Sequence, residues 1–124
     1  MGLDNGICFK DELEIPFDLP VFVKLDDKDI CYWRKCWGVR NAIKATLHMA
    51  RDEYEYELDE EDFPALIKTL EYFLDEKKWK DEADSIWEYK NYIQHHCQNI
   101  KNLLWAWDYK SKHPEVSIIF YDSY

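Results

Sequence analysis

The chain has 124 residues, 47% of them hydrophobic and 17% aromatic, and its 16 basic against 26 acidic residues give a net charge of −10. The length fits a single domain over residues 1–124, and the high aromatic content excludes an intrinsically disordered chain. The acidic balance disfavours non-specific binding to nucleic acids or anionic membranes, and no apolar run approaches the roughly 20 residues of a membrane-spanning helix.

The two ends of the chain are predicted to be extended. Residues 7–9 form a short apolar run after an Asp-Asn-Gly turn sequence, and Pro16 and Pro20 oppose a helix in the segment that follows. Residues 21–23 and 116–121 are rich in the β-branched and aromatic side chains that are typical of strands. We therefore expect strands from the two ends to pair into a small sheet.

Apolar periodicity predicts three helices between these ends. Apolar residues recur at three- and four-residue steps over residues 28–53, 62–76 and 81–109. Asp62 is the expected N-cap of the second helix, and the first and third helices are expected to be long. The sequence thus predicts an α+β fold, in which three helices combine with a small sheet formed from the N- and C-terminal segments.

The third predicted helix carries aromatic side chains on several sides. Its apolar seam consists of Ala83, Ile86, Ile93, Cys97, Ile100, Leu104 and Trp107. A helix with aromatic residues beyond one seam is either wrapped by other elements or in contact with a second subunit. We expect a homo-oligomer, specifically a dimer, with Trp87, Trp105 and Trp107 at its interface, because buried tryptophans dominate interface energetics.

Basic residues are concentrated in the first predicted helix. Residues 31–51 carry five bases and no acid, and they include all three arginines of the chain. Arginine holds phosphate through two parallel hydrogen bonds, and aromatic rings stack on nucleobases. The predicted ligand-binding residues are therefore Trp33, Arg34, Trp37, Arg40 and Asn41: the arginines hold phosphate, the tryptophans stack, and the asparagine reads polar edges. In the structural alternative, the basic helix pairs with the acids that follow it and the tryptophans belong to the core.

Residues 52–62 form an acidic run with eight acids and no base. Acids and tyrosines alternate over its first half, which predicts an extended segment with Tyr54 and Tyr56 on one face. One interpretation is a mimic of nucleic-acid phosphates that binds a partner protein through Glu55, Glu57, Glu60 and Glu61. The other is a solvated loop followed by the negative first turn of the second helix, which the helix dipole favours.

Catalytic and metal-binding signals are weak. The sequence has no Walker loop, GxGxxG, GxSxG or HExxH motif, so we predict no catalytic residue, no metal and no cofactor. Four residues have side chains that zinc prefers, but in a spacing that matches no common motif: Cys31, Cys36, His96 and Cys97. A small hydrolase that uses a Cys–His pair, or Asp4 with Asp122, is the enzymatic alternative. The cysteines are expected to be buried, reduced thiols.

Three sequence blocks suggest a relationship. They are MGLDNGI at residues 1–7, YWRKCWGVRNAI at residues 32–43 and FYDSY at residues 120–124. Together they resemble a family of small proteins encoded by bacteriophages and prophages of Gram-positive bacteria. The resemblance implies a protein that acts in the cytoplasm of the bacterial host, where small acidic phage proteins often counteract defence.

These observations predict a phage-encoded, non-enzymatic binding protein. We expect an anti-defence factor that sequesters a small anionic, nucleotide-like signal. The alternative is an acidic inhibitor that binds a host defence protein as a nucleic-acid mimic. Neither interpretation involves a membrane or direct contact with nucleic acid.

Overall fold

A four-stranded antiparallel sheet joins the two ends of the chain. The computed structural model describes residues 4–25, 28–34, 36–75 and 86–123, with the backbone alone for residues 86–91. Strands β1 (Asp4–Phe9), β2 (Asp29–Arg34), β3 (Glu55–Glu57) and β4 (Ile118–Ser123) lie in the order β2-β1-β4-β3. The pairing of β1 with β4 confirms that the two ends meet in one sheet. Strands β2 and β3, however, come from the interior of the chain.

In the described part of the chain, three α-helices accompany the sheet, which confirms the α+β class. They are α1 (Trp37–Thr46), α2 (Asp62–Tyr72) and α3 (Ile86–Lys112). The third helix is long, as expected, whereas the first is short. The N-cap of α2 is Glu61, so the prediction of Asp62 as the N-cap is wrong, and the helix ends at Tyr72, before residue 76. Residues 81–85, where the third helix was predicted to begin, lie outside the described residues.

The helices pack on one face of the sheet and enclose the core. Helix α2 contacts both α1 and α3, and α3 contacts β2. The largest side chains that are completely buried include Phe9 of β1, Phe63 of α2 and Phe120 of β4. The α2 residues Leu66 and Leu70 follow the predicted helical stripe into this core. The amphipathic pattern of α2 thus fixes which side of the helix meets the sheet.

The prediction of a first helix over residues 28–53 is wrong. Residues 29–34 form β2, in which Cys31 pairs with Ile7 and Trp33 pairs with Asn5 on β1. Cys31 and Trp33 are both buried and lie two residues apart, which is the step of a strand. A short apolar run fits the helical and the strand period equally well, so pairing with β1 decided between them.

Helix α1 ends early because His48 adopts a left-handed backbone conformation, with a φ of 56°. The N–H of His48 donates to the Ala45 carbonyl at 3.2 Å, and the N–H of Met49 donates to the Lys44 carbonyl at 2.9 Å. This pair of bonds is a Schellman motif, which satisfies the last carbonyls of a helix and turns the chain away from its axis. Arg51 therefore lies in a loop and not in the predicted first helix.

Side-chain amides of α3 cover the outer edge of β2. Asn99 donates to the Tyr32 carbonyl at 3.0 Å and accepts from the Tyr32 N–H at 3.3 Å. Asn102 donates to the Ile30 carbonyl at 2.9 Å. These amides take the place of a neighbouring strand and satisfy backbone groups that would otherwise be buried without partners.

This role explains why the buried row of α3 differs from the predicted apolar seam. The buried residues of α3 within the described part are His96, Asn99, Ile100, Asn102, Leu103 and Ala106. Leu104, which was predicted to lie on the seam, is exposed. Apolar periodicity alone could not reveal a row in which three polar side chains are buried because they have hydrogen-bond partners.

The segment between β1 and β2 contains no strand in its described residues 10–25. Residues 21–23, which were predicted to be extended, lie at a turn in which the N–H of Val23 donates to the Pro20 carbonyl at 3.0 Å. Val23 is buried, whereas Val21 and Phe22 are exposed. None of the described strands pairs with this segment, so its β-branched composition does not make it a strand.

His96 connects α3 to both β2 and α2 in the core. The indole N–H of Trp33 donates to His96 Nδ1 at 3.1 Å, and His96 Nε2 lies 2.7 Å from the Leu70 carbonyl. An indole N–H can only donate and a carbonyl can only accept, so His96 is neutral and carries its proton on Nε2. Burial lowers the pKa of His96 below its usual value.

We expect acid to destabilise the protein through His96. Because the pKa of His96 is lowered in the folded state, its contribution to stability is complete above the unfolded value of about 6.5 and is lost as the pH falls below it. The free energy of unfolding, measured with urea between pH 7.5 and 5, should fall more steeply with decreasing pH for the wild type than for His96→Gln. The amide of the variant can both donate and accept, and it does not titrate. The exposed-site variant His113→Gln should keep the wild-type slope. Equal slopes for all three proteins would contradict this assignment.

Candidate functional site

Three of the predicted ligand-binding residues meet in one open cleft. The cleft has a volume of about 770 Å³ and lies between α1 and the loop that leads to β3. Its lining consists of Trp37, Arg40, Asn41, Arg51, Asp52 and Tyr54. The cleft therefore combines two arginines, two aromatic rings, an amide and one carboxylate.

The wall of the cleft is fixed by a buried ion pair between Arg40 and Asp122. Arg40 Nη2 lies 2.8 Å from Asp122 Oδ2, and Arg40 Nε donates to both carboxylate oxygens at 3.1 and 3.0 Å. Arg40 Nη1 also donates to the Asn41 side-chain oxygen at 3.0 Å. The guanidinium is thus held in one orientation, with Asn41 beside it.

Lys44 shares the same carboxylate and binds the loop that forms the opposite side of the cleft. Its Nζ lies 3.2 Å from Asp122 Oδ2 and donates to the carbonyls of Arg51 at 3.1 Å and Glu53 at 2.8 Å. These three partners use all three N–H groups of the ammonium. Lys44 is therefore a structural residue that holds the loop against α1.

Beneath the cleft, two cations and one carboxylate of the described residues form a cluster. Two cations, Arg40 and Lys44, share the single Asp122 carboxylate, whose side chain is completely buried. Each cation also lies against an aromatic ring, Arg40 at 5.5 Å from the Trp37 ring centre and Lys44 at 5.7 Å from that of Tyr54. Each ring of the cleft therefore lies beside one cation of the cluster.

The remaining side chains of the cleft face solvent. Trp37 and Tyr54 are 44% and 54% exposed, so part of each side chain reaches the solvent of the cleft. The guanidinium of Arg51 forms no ion pair with any described residue. Asp52 adds one exposed carboxylate. A ligand in this cleft would meet one fixed and one adaptable guanidinium between two aromatic rings.

Sequence reasoning missed Arg51, Asp52 and Tyr54 as parts of this site. Arg51 was counted among the bases of the first predicted helix, and the other two were assigned to the acidic run. The available signal was the presence of Arg51 and Tyr54 within three residues of each other, directly after a basic helix. Only the end of α1 at His48, which folds the loop back onto the helix, brings them to Trp37 and Arg40.

Trp33 and Arg34 do not line the cleft. Trp33 is 2% exposed and its indole N–H is bound to His96, so its predicted role as a stacking surface does not fit its burial. Arg34 is exposed at the end of β2, where it lies opposite Asp4 of β1. Because Arg34 lies on a strand and Arg40 on a helix, the two arginines do not form the expected pair on one helix.

The predicted acidic surface consists of Glu55, Glu57, Glu60 and Glu61, all of which are exposed. Glu55 and Glu57 lie on β3, which is an edge strand of the sheet, so this part of the acidic run is extended as expected. Glu60 accepts a hydrogen bond from the Ser111 hydroxyl at 2.7 Å. Together with Asp59, Pro64 and Trp107, Glu60 and Glu61 line a second open cleft of about 650 Å³.

The residues considered for metal binding have other roles. The Cys31 thiol donates to the Asn99 carbonyl at 3.2 Å, and the Cys36 thiol donates to the Arg34 carbonyl at 3.4 Å. Among the described residues, no group of three or more His, Cys, Asp or Glu side chains is arranged to hold a metal ion. These cysteines and His96 are thus part of the core.

All four cysteines are free thiols: Cys8, Cys31 and Cys36 are buried, and Cys97 is half-buried. Burial raises the pKa of Cys8 to about 11 and raises that of Cys31 well above its usual value. Both are therefore protonated at neutral pH and poor nucleophiles.

The two carboxylates of the enzymatic alternative are also separated. Asp122 pairs with Asn5 in the sheet, whereas Asp4 pairs with Ser123. Because neighbouring strand residues point to opposite faces, Asp122 lies on the helix side and Asp4 lies on the other side, where it accepts from the Tyr32 hydroxyl at 2.7 Å. The ends of the chain meet, but they do not form a carboxylate pair.

Two of the three tryptophans proposed for a dimer interface, Trp105 and Trp107, have described neighbours within the chain. Trp105 stacks on Tyr109 with ring centres 5.2 Å apart and meets the edge of Phe9 at 6.2 Å. Trp107 lines the second open cleft, beside Glu60 and Glu61. The side chain of Trp87 lies outside the described residues. The dimer through α3 stays a prediction.

Comparisons of this chain with protein-family models, with curated proteins and with solved structures find no match. Within the described residues, no helix is both long and apolar enough to span a membrane. The functional argument therefore depends on the geometry of the cleft.

We expect removal of the Asp122 carboxylate to destabilise the fold strongly. Asp122→Asn leaves Arg40 and Lys44 buried without their shared counter-charge, and breaking a buried ion pair in this way costs about 3–5 kcal/mol. The control is Lys112→Ala, which breaks an exposed pair with Asp108 and should change stability by less than about 1 kcal/mol. Chemical denaturation measures both, and similar effects of the two changes would contradict the importance of the cluster.

Proposed function

We propose that this protein is a non-enzymatic binding protein whose cleft takes a small anionic ligand with a planar ring, such as a nucleotide. The observation that carries the proposal is the meeting of Arg40, Arg51, Trp37 and Tyr54 around one cleft above a cluster of two cations and one carboxylate. Phosphate groups suit the guanidinium groups, and a base suits the exposed rings.

Each side chain has a separate task in this proposal. Arg51 has no ion pair among the described residues and turns to the phosphate, while the fixed Arg40 contributes charge from the wall. Trp37 and Tyr54 stack on the ring of the ligand. The exposed Asn41 amide reads polar edges, and Asp52 accepts hydrogen bonds from hydroxyl or N–H groups such as those of a ribose. Asp52 also disfavours a ligand that offers only negative charge.

The biological role belongs to the same proposal. In the phage setting that the sequence resemblance implies, the protein acts in the host cytoplasm and counteracts defence by sequestering a nucleotide-like signal. Sequestration requires binding without turnover. Native mass spectrometry of the protein purified from defence-active cells tests this directly, because a co-purified nucleotide would be released unchanged on denaturation.

We expect Arg51→Ala to weaken nucleotide binding roughly ten- to hundred-fold, because a hydrogen bond to a charged group contributes about 1.5–3 kcal/mol. Trp37→Ala should have a similar effect through lost stacking, which contributes about 1–3 kcal/mol per base. Isothermal titration with a panel of mononucleotides and cyclic dinucleotides measures both. Arg34→Ala is the matched control, because this exposed arginine lies outside the cleft.

The outcomes of this titration separate the possibilities. A ligand that binds the wild type and the Arg34 variant equally, and the other two variants weakly, supports the cleft. Equal weakening by Arg34→Ala and Arg51→Ala would point to general electrostatics. No binding of any panel member would contradict a nucleotide-like ligand.

A second candidate function uses the acidic surface. Glu55, Glu57, Glu60 and Glu61 are all exposed along one continuous stretch, and two of them border an open cleft that also contains Trp107. A line of carboxylates next to an aromatic side chain suits a basic groove on a nucleic-acid-binding protein. In this alternative the protein inhibits a host defence protein as a nucleic-acid mimic.

Replacing these four glutamates by glutamine distinguishes the two functions. We expect the quadruple variant to keep its nucleotide affinity, because the acids lie outside the nucleotide cleft and repel an anion. If the protein is an acidic inhibitor, the same variant should associate with its partner more slowly at low salt and lose its activity in the host. Full activity of the folded variant in the host would exclude the acidic inhibitor.

A further inference from the structure

The loop that connects β1 to β2 exposes an unusual amount of apolar surface. In its described residues 10–25, Leu13 is 92% exposed, Phe17 107%, Val21 93% and Phe22 56%. These are four of the most exposed large apolar side chains in the described part of the chain, and they lie within ten residues of one another. Exposed apolar clusters of this kind mark interaction sites, and loops of this length usually have a function. We name residues 10–25 the apolar loop.

The apolar loop is attached to the body of the protein at both of its ends. At its start, the N–H of Lys10 donates to the Ser117 carbonyl at 2.9 Å. The Asp11 carboxylate then caps a short 3-10 turn within the loop by accepting from the Leu13 N–H at 2.9 Å. Near its end, Val23 is buried, and Gln98 of α3 donates to the Phe22 carbonyl at 2.9 Å. The exposed side chains are therefore presented from a fixed backbone.

Further hydrogen bonds reinforce this attachment. The Asn102 side chain accepts from the Lys24 N–H at 3.1 Å and donates to the Lys24 carbonyl at 2.9 Å. Pro16 and Pro20 restrict the backbone between the two attachment points and remove two N–H donors. A segment with this preorganisation loses little conformational entropy when it binds, and the missing donors favour recognition through side chains.

The charge of the apolar loop indicates what it can bind. Residues 11–22 contain four acids, Asp11, Glu12, Glu14 and Asp18, and no base. Two copies of the loop meeting about a two-fold axis would oppose four acids to four acids. Anionic lipid is excluded on the same ground. A surface of opposite charge with apolar pockets complements the loop.

We propose that the apolar loop docks into an apolar groove rimmed by lysine and arginine residues on another protein. Phe17 and Val21 enter the groove, and the acids at positions 12, 14 and 18 meet its basic rim. This surface shares no residue with the nucleotide cleft or with the acidic surface described above. The proposal is therefore independent of the ligand that the cleft binds.

Photo-cross-linking in the intact protein identifies the partner. The full chain carries benzoylphenylalanine at position 17 and is expressed in the cytoplasm of a Gram-positive bacterium, with a matched protein labelled at the exposed Leu104 of α3 as the control. The expected result is one polypeptide that is cross-linked from position 17 and not from position 104. Cross-links only to a second copy of this chain, only to lipid, or to nothing would overturn the proposal.

Binding of the purified partner then decides whether the loop is the docking element. Phe17→Ser with Val21→Ser should raise the Kd about 30-fold or more, as expected for hot-spot side chains, while Leu104→Ser leaves it unchanged. Because Phe17 and Val21 are fully exposed, circular dichroism and the Tm should stay those of the wild type. Equal affinity of the wild type and the double variant would overturn the proposal.

The acids of the loop provide a second readout. The triple variant with Glu12→Gln, Glu14→Gln and Asp18→Asn should associate more slowly at low salt, with a weaker dependence of the association rate on ionic strength. An unchanged association rate with an unchanged salt dependence would overturn the proposal that the partner's groove has a basic rim. Nucleotide titration of the same variants keeps this test separate from the proposed function, because loop substitutions should leave the cleft unaffected.

Discussion

The buried carboxylate of Asp122 is the point on which the arrangement of this protein depends. It comes from the last strand of the sheet, it is completely buried, and it binds Arg40 and Lys44 of α1. Lys44 in turn holds the carbonyls of the loop after α1. One carboxylate thus connects the C-terminal strand, the first helix and the loop before β3. Since a buried charge without its partners is strongly destabilising, the carboxylate favours the packing in which these three elements meet.

The same cluster builds the candidate site. Arg40 is a wall of the cleft and a partner of Asp122, and the two cations lie beside the Trp37 and Tyr54 rings. The residues that stabilise the fold therefore also line the candidate site, and the exposed Arg51, which forms no ion pair with any described residue, can be changed with little effect on the fold. Asn5, which pairs with Asp122 in the sheet, is buried and its side-chain amide has no hydrogen-bond partner among the described residues. Buried polar groups without hydrogen-bond partners are rare, and they occur preferentially near functional sites.

The two edge strands of the sheet are protected from further strand pairing in different ways. The edge at β2 is covered by Asn99 and Asn102 of α3, which supply hydrogen bonds that a further strand would otherwise make. The edge at β3 is short and carries Glu55 and Glu57, whose charge discourages pairing with another strand. In contrast to both edges, the apolar loop exposes large side chains on an anchored backbone, so it is the part of the described surface best suited to contact another protein.

The sequence by itself determined the features that depend on local pattern. The stripe Phe63, Leu66 and Leu70 predicted α2, and the short apolar run at residues 7–9 and the β-branched and aromatic run at residues 116–121 predicted the strands that became β1 and β4. The basic stretch with Trp37, Arg40 and Asn41 predicted part of the cleft. These features follow from periodicity and composition, which are properties of neighbouring residues.

Only the tertiary structure decided the rest, because it depends on contacts between distant residues. Residues 29–34 form a strand because β1 lies beside them, and Trp33 is buried because His96, 63 residues further on, accepts its N–H. Arg40 meets Asp122 across 82 residues of sequence, and neither residue reveals the other through any local pattern. A buried charge or amide is stable only when its partners are present, and the identity of those partners is fixed by the fold as a whole.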